Sequence, residues 1–299
     1  MGFIDQLKTE YRIGGIVQRL IFWNVGLFIV PLVLFALLGL GHVHYPAFDW
    51  TLGSSQNWFS LSPDAADLIW KPWSLVTYAF LHAGALHLIF NMLMLVFAGR
   101  LFLTFFTQKQ FFGLYILSAI FSGLVFVAGQ AFIPLMQSNG LPLVGASAAI
   151  MSVLIAAAVY SPEYEVRLML IGRLKLWHIA LALVVIDLLY ISAENTGGHL
   201  AHLAGALFGY LYIVLLKRNT DLSKGISAII DFFANVFKPR KSTPFKKVHL
   251  NTAPPVRTSA VKPKDLTQKQ IDDILDKISQ SGYDSLTKAE KEFLFKVGK

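Results

Sequence analysis

Six apolar stretches, at 20–41, 86–103, 111–135, 147–160, 176–193 and 202–216, constrain this chain more than any other feature. Most approach the roughly 20 helical residues needed to cross a bilayer's hydrocarbon core. In lipid the backbone must satisfy its own polar groups, so such stretches fold as helices packed on one another. The expected fold class is therefore all-α, a polytopic membrane protein of six transmembrane helices. Composition agrees, with 55% hydrophobic and 15% charged residues in 299 and a mean hydropathy of +0.56. A formal charge of +8 raises the question of nucleic acid. The basic residues, however, gather in short loops and a C-terminal tail, as the positive-inside rule demands, so no nucleic-acid partner is expected. With no cysteine, a thiol nucleophile, a cysteine-ligated zinc and a disulfide framework are all excluded. Segment 1–19 carries charges of both signs and lacks a cleavage pattern, so it reads as neither signal nor transit peptide. The expected location is the cytoplasmic (inner) membrane of a prokaryote.

Lysine and arginine set the orientation. Lys8, Arg12 and Arg19 precede the first span, Arg100 and Lys109 flank the turn after the second, and Arg167, Arg173 and Lys175 follow the fourth. Lys217, Arg218 and a basic tail follow the sixth, whereas the three alternate loops hold only Lys71. Both termini are expected in the cytoplasm, and the loops after spans one, three and five outside. The outer segment 42–73 carries Trp50, Trp58, Trp70 and Trp73, rings suited to the headgroup layer.

The fourth span is short. A helix over 147–160 reaches about 21 Å, against a hydrocarbon core near 30 Å. It follows irregular sequence at 137–145 with Ser138, Asn139, Gly140 and Pro142. Irregular backbone at membrane depth survives only inside protein or beside a wet cavity, so Ser147 should lie at the floor of a water-accessible hollow. His202 is expected in the first turn of span six. His87 and Asn91, four residues apart on one helix face, are expected in the first turns of span two. All three spans are entered from outside, which brings four polar groups to one depth. A serine hydroxyl needs a base to take its proton, and imidazole suits that role. The Ser147 N–H belongs to the unpaired donors of a helix N-terminus, where an anion is stabilised. His87 and the Asn91 amide can add donors to the same oxyanion.

The strings HLIFN at 87–91, GAS at 145–147 and HLAGALFG at 202–209 resemble, in order and on spans two, four and six, the signature regions of rhomboid proteases. PWSLVTYAFLH at 72–82 also resembles the segment leading into that family's second helix, and the likeness covers roughly residues 15–217. It implies a rhomboid-like bundle with a Ser147–His202 dyad and an oxyanion hole of the Ser147 N–H, His87 and Asn91. It further implies transmembrane segments of other proteins as substrates, cleaved near the outer face with no cofactor and no metal. Three positions depart from the pattern: Ala148 stands where glycine usually follows the nucleophile, Met151 where an aromatic is common, and Ser74 where arginine usually follows the loop tryptophan. Gly145, Ala148, Gly205 and Gly209 are expected to pack beside the site, with Gly205 and Gly209 forming a small-residue face one turn from His202.

Weighed against plainer roles, Ser122 and Ser152 read as packing residues, and His82 and His199 as hydrogen-bonding groups near the membrane surface. The register of Gly205 and Gly209 favours His202 over His199 as base. Asp187 is an ionisable group inside span five, hence a functional candidate. It is expected to be a structural partner or gate rather than a third member of the dyad. A zinc protease would need His-Glu-x-x-His, which is absent, and an aspartyl dyad would need a second membrane aspartate. A catalytically inactive rhomboid-like scaffold that binds transmembrane helices is the alternative. A small transporter, expected to carry inverted repeats, fits less well.

Beyond a membrane domain at 1–218, residues 219–237 read as an amphipathic helix on the cytoplasmic interface, with Ile226, Ile229, Ile230, Phe233 and Phe237 on one face. Residues 238–264 read as a basic disordered linker attracted to anionic lipid. Residues 265–299 read as a small cytoplasmic helical hairpin: Thr267 with Gln270 caps a helix ended by Gly282, and Thr287 with Glu290 caps a second. The hairpin is expected to dock on a cytoplasmic partner or on the protein's own cytoplasmic face. The lipid bilayer and substrate transmembrane segments complete the expected partners.

Overall fold

The structure, a computed structural model, describes residues 2–40, 57–137, 140–168, 172–192, 195–236 and 263–297. Trp50, Ser138, Asn139, Phe237 and nearly all of the basic linker lie outside them. The chain opens with α1 (Phe3–Ile13), α2 (Ile16–Leu40), the single turns α3 (Asp67–Trp70) and α4 (Ser74–Thr77), and α5 (Ala85–Phe105). There follow α6 (Gln108–Phe132), the turn α7 (Pro134–Gln137), α8 (Ser147–Tyr160) and a hairpin of β1 (Glu165–Leu168) and β2 (Gly172–Lys175). Then come α9 (Leu176–Tyr190), α10 (Thr196–Lys217), α11 (Ser223–Val236), α12 (Pro263–Ser281) and α13 (Lys288–Val297). The chain divides into two compact units, Met1–Lys238 and Pro239–Lys299.

Among the described residues, four helices are long and apolar enough to cross a membrane: α2, α5, α6 and α10. The apolar helices α8 and α9 are shorter. Apolar side chains stand on the outside of the first unit, including Val30 on α2, Phe90 and Leu93 on α5, and Leu188 and Leu189 on α9. Such a surface is what a hydrocarbon solvent selects, and water would penalise it.

The helix α8 runs through the centre, packed against α5, α6, α9 and α10. Every residue from Ala148 to Ala158 is buried. Surrounded by longer helices, it has no need to reach both headgroup layers itself. Its small side chains let neighbouring backbones approach, and the approach is closest at α10. A methyl built on Gly205 would collide with the carbonyl of Ala148, and one on Gly209 with that of Ser152. Because these are contacts to backbone, the alanine at 148 is accommodated: its side chain is buried while its carbonyl takes the glycine.

The non-helical run before α8 is tied to the segment before α5. Leu61 and Leu143 exchange both backbone hydrogen bonds, at 3.1 and 2.8 Å, and the Gly145 N–H donates to the Tyr78 carbonyl at 3.0 Å. The Tyr78 hydroxyl donates to the Ala119 carbonyl, and the Tyr115 hydroxyl to that of Ala79. Trp58 and Trp73 stack with centroids 6.2 Å apart, and the Trp73 indole N–H donates to the Trp58 carbonyl. This pair braces the same loop with no arginine after the tryptophan.

Two expectations are corrected. The sixth apolar helix begins at Thr196, so His202 lies at the end of its second turn, not in its first. In the loop after the fourth apolar helix, 165–168 and 172–175 pair as antiparallel strands, with Glu165 opposite Lys175 and Leu168 opposite Gly172. In the second unit α12 starts at Pro263, so Thr267 lies inside the helix and does not cap it. Proline at the first helical position costs no hydrogen bond there, which favours the earlier start. Gly282, at φ 77°, follows the helix end as expected.

Candidate active site

Ser147 is the first residue of α8, after Gly145 and Ala146. Gly145 has φ 130°, a conformation that L side chains rarely adopt. A methyl there would also lie 3.0 Å from the His87 ring and 3.4 Å from Ser147 Oγ. The bare glycine thus leaves open the space that the two side chains share. Helix geometry leaves the first-turn N–H groups of α8 without carbonyl partners inside the helix.

His202 Nε2 lies 2.6 Å from Ser147 Oγ, a short hydrogen bond between α10 and α8. The contact follows from the glycine face below it: Gly205 and Gly209 bring α10 onto the α8 backbone, and His202 is the next residue up that face. On α5, His87 Nδ1 accepts from the Ala83 N–H at 3.3 Å. A neutral imidazole whose Nδ1 accepts carries its proton on Nε2, here the nitrogen nearest Gly145. Asn91 spends one amide proton on the His87 carbonyl at 2.9 Å and retains a second. Ser147, His202, His87 and Asn91 all line one cavity of about 380 Å³, with Tyr78 and Met151 also in its wall.

Three further ionisable groups lie close to these four residues. His82 is buried, 3% exposed, and packs edge-on against His87 with ring centres 5.2 Å apart. Asp187, expected as a structural partner or gate, bonds two histidines of α10. Its Oδ1 lies 2.9 Å from His202 Nδ1 and 2.7 Å from His199 Nδ1, so His199 belongs to this cluster. Ser122 and Ser152 are buried in helix contacts, as expected of packing residues. The signal for Asp187 was present in the sequence. It lies one turn before the end of α9, and α10 starts six residues after α9 ends, so Asp187 and His202 lie towards neighbouring ends of their helices.

The side-chain donors of Asp187, His199 and His202 lie within 4.8 Å of one another, close enough to be examined as a metal site. Their Nδ1–Oδ1 separations are hydrogen-bond lengths. Two ligands each about 2.0–2.1 Å from a tetrahedral zinc would stand more than 3 Å apart. The cluster is closed by its own hydrogen bonds.

These observations define a class: a multi-pass helical membrane protein with a hydrogen-bonded serine–histidine pair lining a cavity within its bundle. A model of the rhomboid domain matches residues 70–219, half of the chain, and spans every residue of the cluster. A second model, a family of unknown function (DUF6576), matches residues 262–297. No curated protein matches the chain. The chain belongs to the rhomboid family, the family of intramembrane proteases.

Proposed function

We propose that this protein is an intramembrane serine endopeptidase that cleaves transmembrane segments of other membrane proteins with a Ser147–His202 dyad. The observation that carries this reading is the 2.6 Å bond between Ser147 Oγ and His202 Nε2, on helices 55 residues apart in sequence. Ser147 Oγ attacks the carbonyl carbon of the scissile peptide bond while its proton passes to His202 Nε2. The carbonyl oxygen becomes an oxyanion, met by the Ser147 N–H, the His87 Nε2–H and the free amide proton of Asn91. Each such donor is worth about 3 kcal/mol in the transition state. Collapse breaks the C–N bond, and His202 returns its proton to the leaving nitrogen, which leaves an acyl ester on Ser147. Water then attacks the ester with its proton taken by His202. A second collapse releases the carboxylic acid and restores the serine hydroxyl. No step needs a cofactor.

In this reading α8 and α9 complete a count of six spans, both termini lie in the cytoplasm, and the membrane is the cytoplasmic one. The amphipathic helix α11, whose Ile229, Phe232, Phe233 and Val236 are exposed, rests in the inner interface. Residues 265–299 meet a cytoplasmic partner. The inactive-scaffold alternative drew on the alanine at 148, and the fit of that residue against Gly205 weakens it.

A fluorophosphonate probe tests the chemistry. Wild-type protein should be labelled, and Ser147→Ala and His202→Ala should not. A wild-type protein with no Ser147-dependent labelling would favour the scaffold.

A further inference from the structure

Asp187 is the sole charged residue of α9, in the sequence LWHIALALVVIDLLY, and its side chain is 6% exposed. A carboxylate buried to that degree is costly unless hydrogen-bonded, and here both bonds converge on one oxygen, from the Nδ1 atoms of His199 and His202. An ionised carboxylate can only accept, so each Nδ1 must carry a proton. A neutral imidazole has only one N–H. With that proton on Nδ1, His202 presents a bare lone pair at Nε2, the atom 2.6 Å from Ser147 Oγ. The other tautomer would point N–H at the hydroxyl and could not take its proton.

We infer that Asp187 is a positioning residue: its carboxylate holds His202 in the proton-accepting tautomer and orientation, while His199 pins that carboxylate from the other side. The inference rests on the Ser147–His202 reading above and extends the dyad to a chain of four groups, Ser147, His202, Asp187 and His199. When His202 takes the serine proton it becomes an imidazolium, and the adjacent carboxylate lowers the energy of that charge. His199 is itself steadied, with its ring stacked on Tyr190 at 6.1 Å between centroids. The geometry differs from a simple buried ion pair, since the same carboxylate oxygen that satisfies His199 also sits beneath the imidazole that touches Ser147.

The test compares wild type, Asp187→Asn, Asp187→Glu, His199→Gln and Ser147→Ala, all full length and reconstituted in liposomes with a model transmembrane substrate. Asparagine keeps the size of Asp187 but removes its charge, and its amide N–H can donate to Nδ1, which favours the wrong tautomer. The expected result is a fall in kcat of about 10²-fold or more for Asp187→Asn with KM unchanged, as for carboxylates of this kind in serine proteases. Unfolding temperature should stay near that of wild type, and Asp187→Glu should recover part of the rate. Wild-type kcat in Asp187→Asn, or equal losses in Asp187→Asn and Asp187→Glu that follow the unfolding temperature, would overturn the inference. Should Asp187→Asn fail to fold, His199→Gln decides, with a fall of about tenfold in kcat at constant KM expected from a loosened carboxylate and an unchanged kcat against it. A wild type that does not cleave in a Ser147-dependent way removes the dyad reading instead, whatever the variants do.

Discussion

Gly205 shows how a residue without a side chain governs a reaction one turn away. Its hydrogen lies over the carbonyl of Ala148, and that contact fixes the distance between α10 and α8 on which the Ser147–His202 bond depends. Gly205→Ala should therefore force the two helices apart, at a cost of about 1–3 kcal/mol in stability. Gly209→Ala makes a similar collision one turn lower, against Ser152, and should cost a comparable amount. The two should differ in activity. Gly205→Ala is expected to lose serine reactivity well beyond its drop in unfolding temperature, while Gly209→Ala should keep more of it. Parallel thermal unfolding and probe-labelling rates check this. At this scale Ser147, His202, His87 and Asn91 were legible in sequence because each lies close to the same end of its helix. Asp187 stood out as a structural partner or gate, but its bonds to His199 and His202 were not legible, because those groups come from another helix. The packing of His82 on the His87 ring was not legible, because its place near the end of a span says nothing about that neighbour.

At the scale of elements, apolar runs found the helices but not their ends. Helix α10 starts six residues before His202 because Asn195, in a left-handed conformation, accepts a bond from the Gly198 N–H, and TGGH carries too little hydropathy to be counted in the span. The β1–β2 hairpin escaped notice because its strands have four residues each, exposed and charged, with Glu165 near Arg173 at 3.9 Å. Capping chemistry served better where a complete box was present. Thr287 and Glu290 bond each other's backbone N–H groups at the start of α13, and Lys277 of α12 also donates to Glu290. The Thr287 backbone N–H, the Lys277 ammonium and the Thr287 hydroxyl together hold the Glu290 carboxyl down to about 2, from an ordinary value of 4.5. Because the folded value is depressed, this contribution is fully present above pH 4.5 and is lost as the pH falls from there towards 2. Amide protection factors over Lys288–Val297 in the full chain should thus decline between pH 6 and pH 3. The decline should be much smaller in Glu290→Gln, whose amide does not titrate. On the other unit, Asp221 joins α10 and α11 to α6. Burial works against its charge, but bonds from the Ser223 hydroxyl and N–H, Gln110 and Tyr212 outweigh it and keep its carboxyl below the usual range.

For the molecule as a whole, the sequence announced a helical membrane protein through hydropathy. The central place of α8 was only half legible. Its shortness implied a recess, but that four helices enclose it depends on small-residue contacts distributed over the whole chain. The account comes down to whether this bundle uses its recessed serine to cut a peptide bond within a bilayer. The most direct measurement is to reconstitute the purified full-length protein in liposomes with a model transmembrane substrate and follow product by mass spectrometry. Wild type should yield two fragments whose masses sum to substrate plus one water, and Ser147→Ala should yield none. Substrate that binds wild type but stays whole, or fragments that persist in Ser147→Ala, would contradict it.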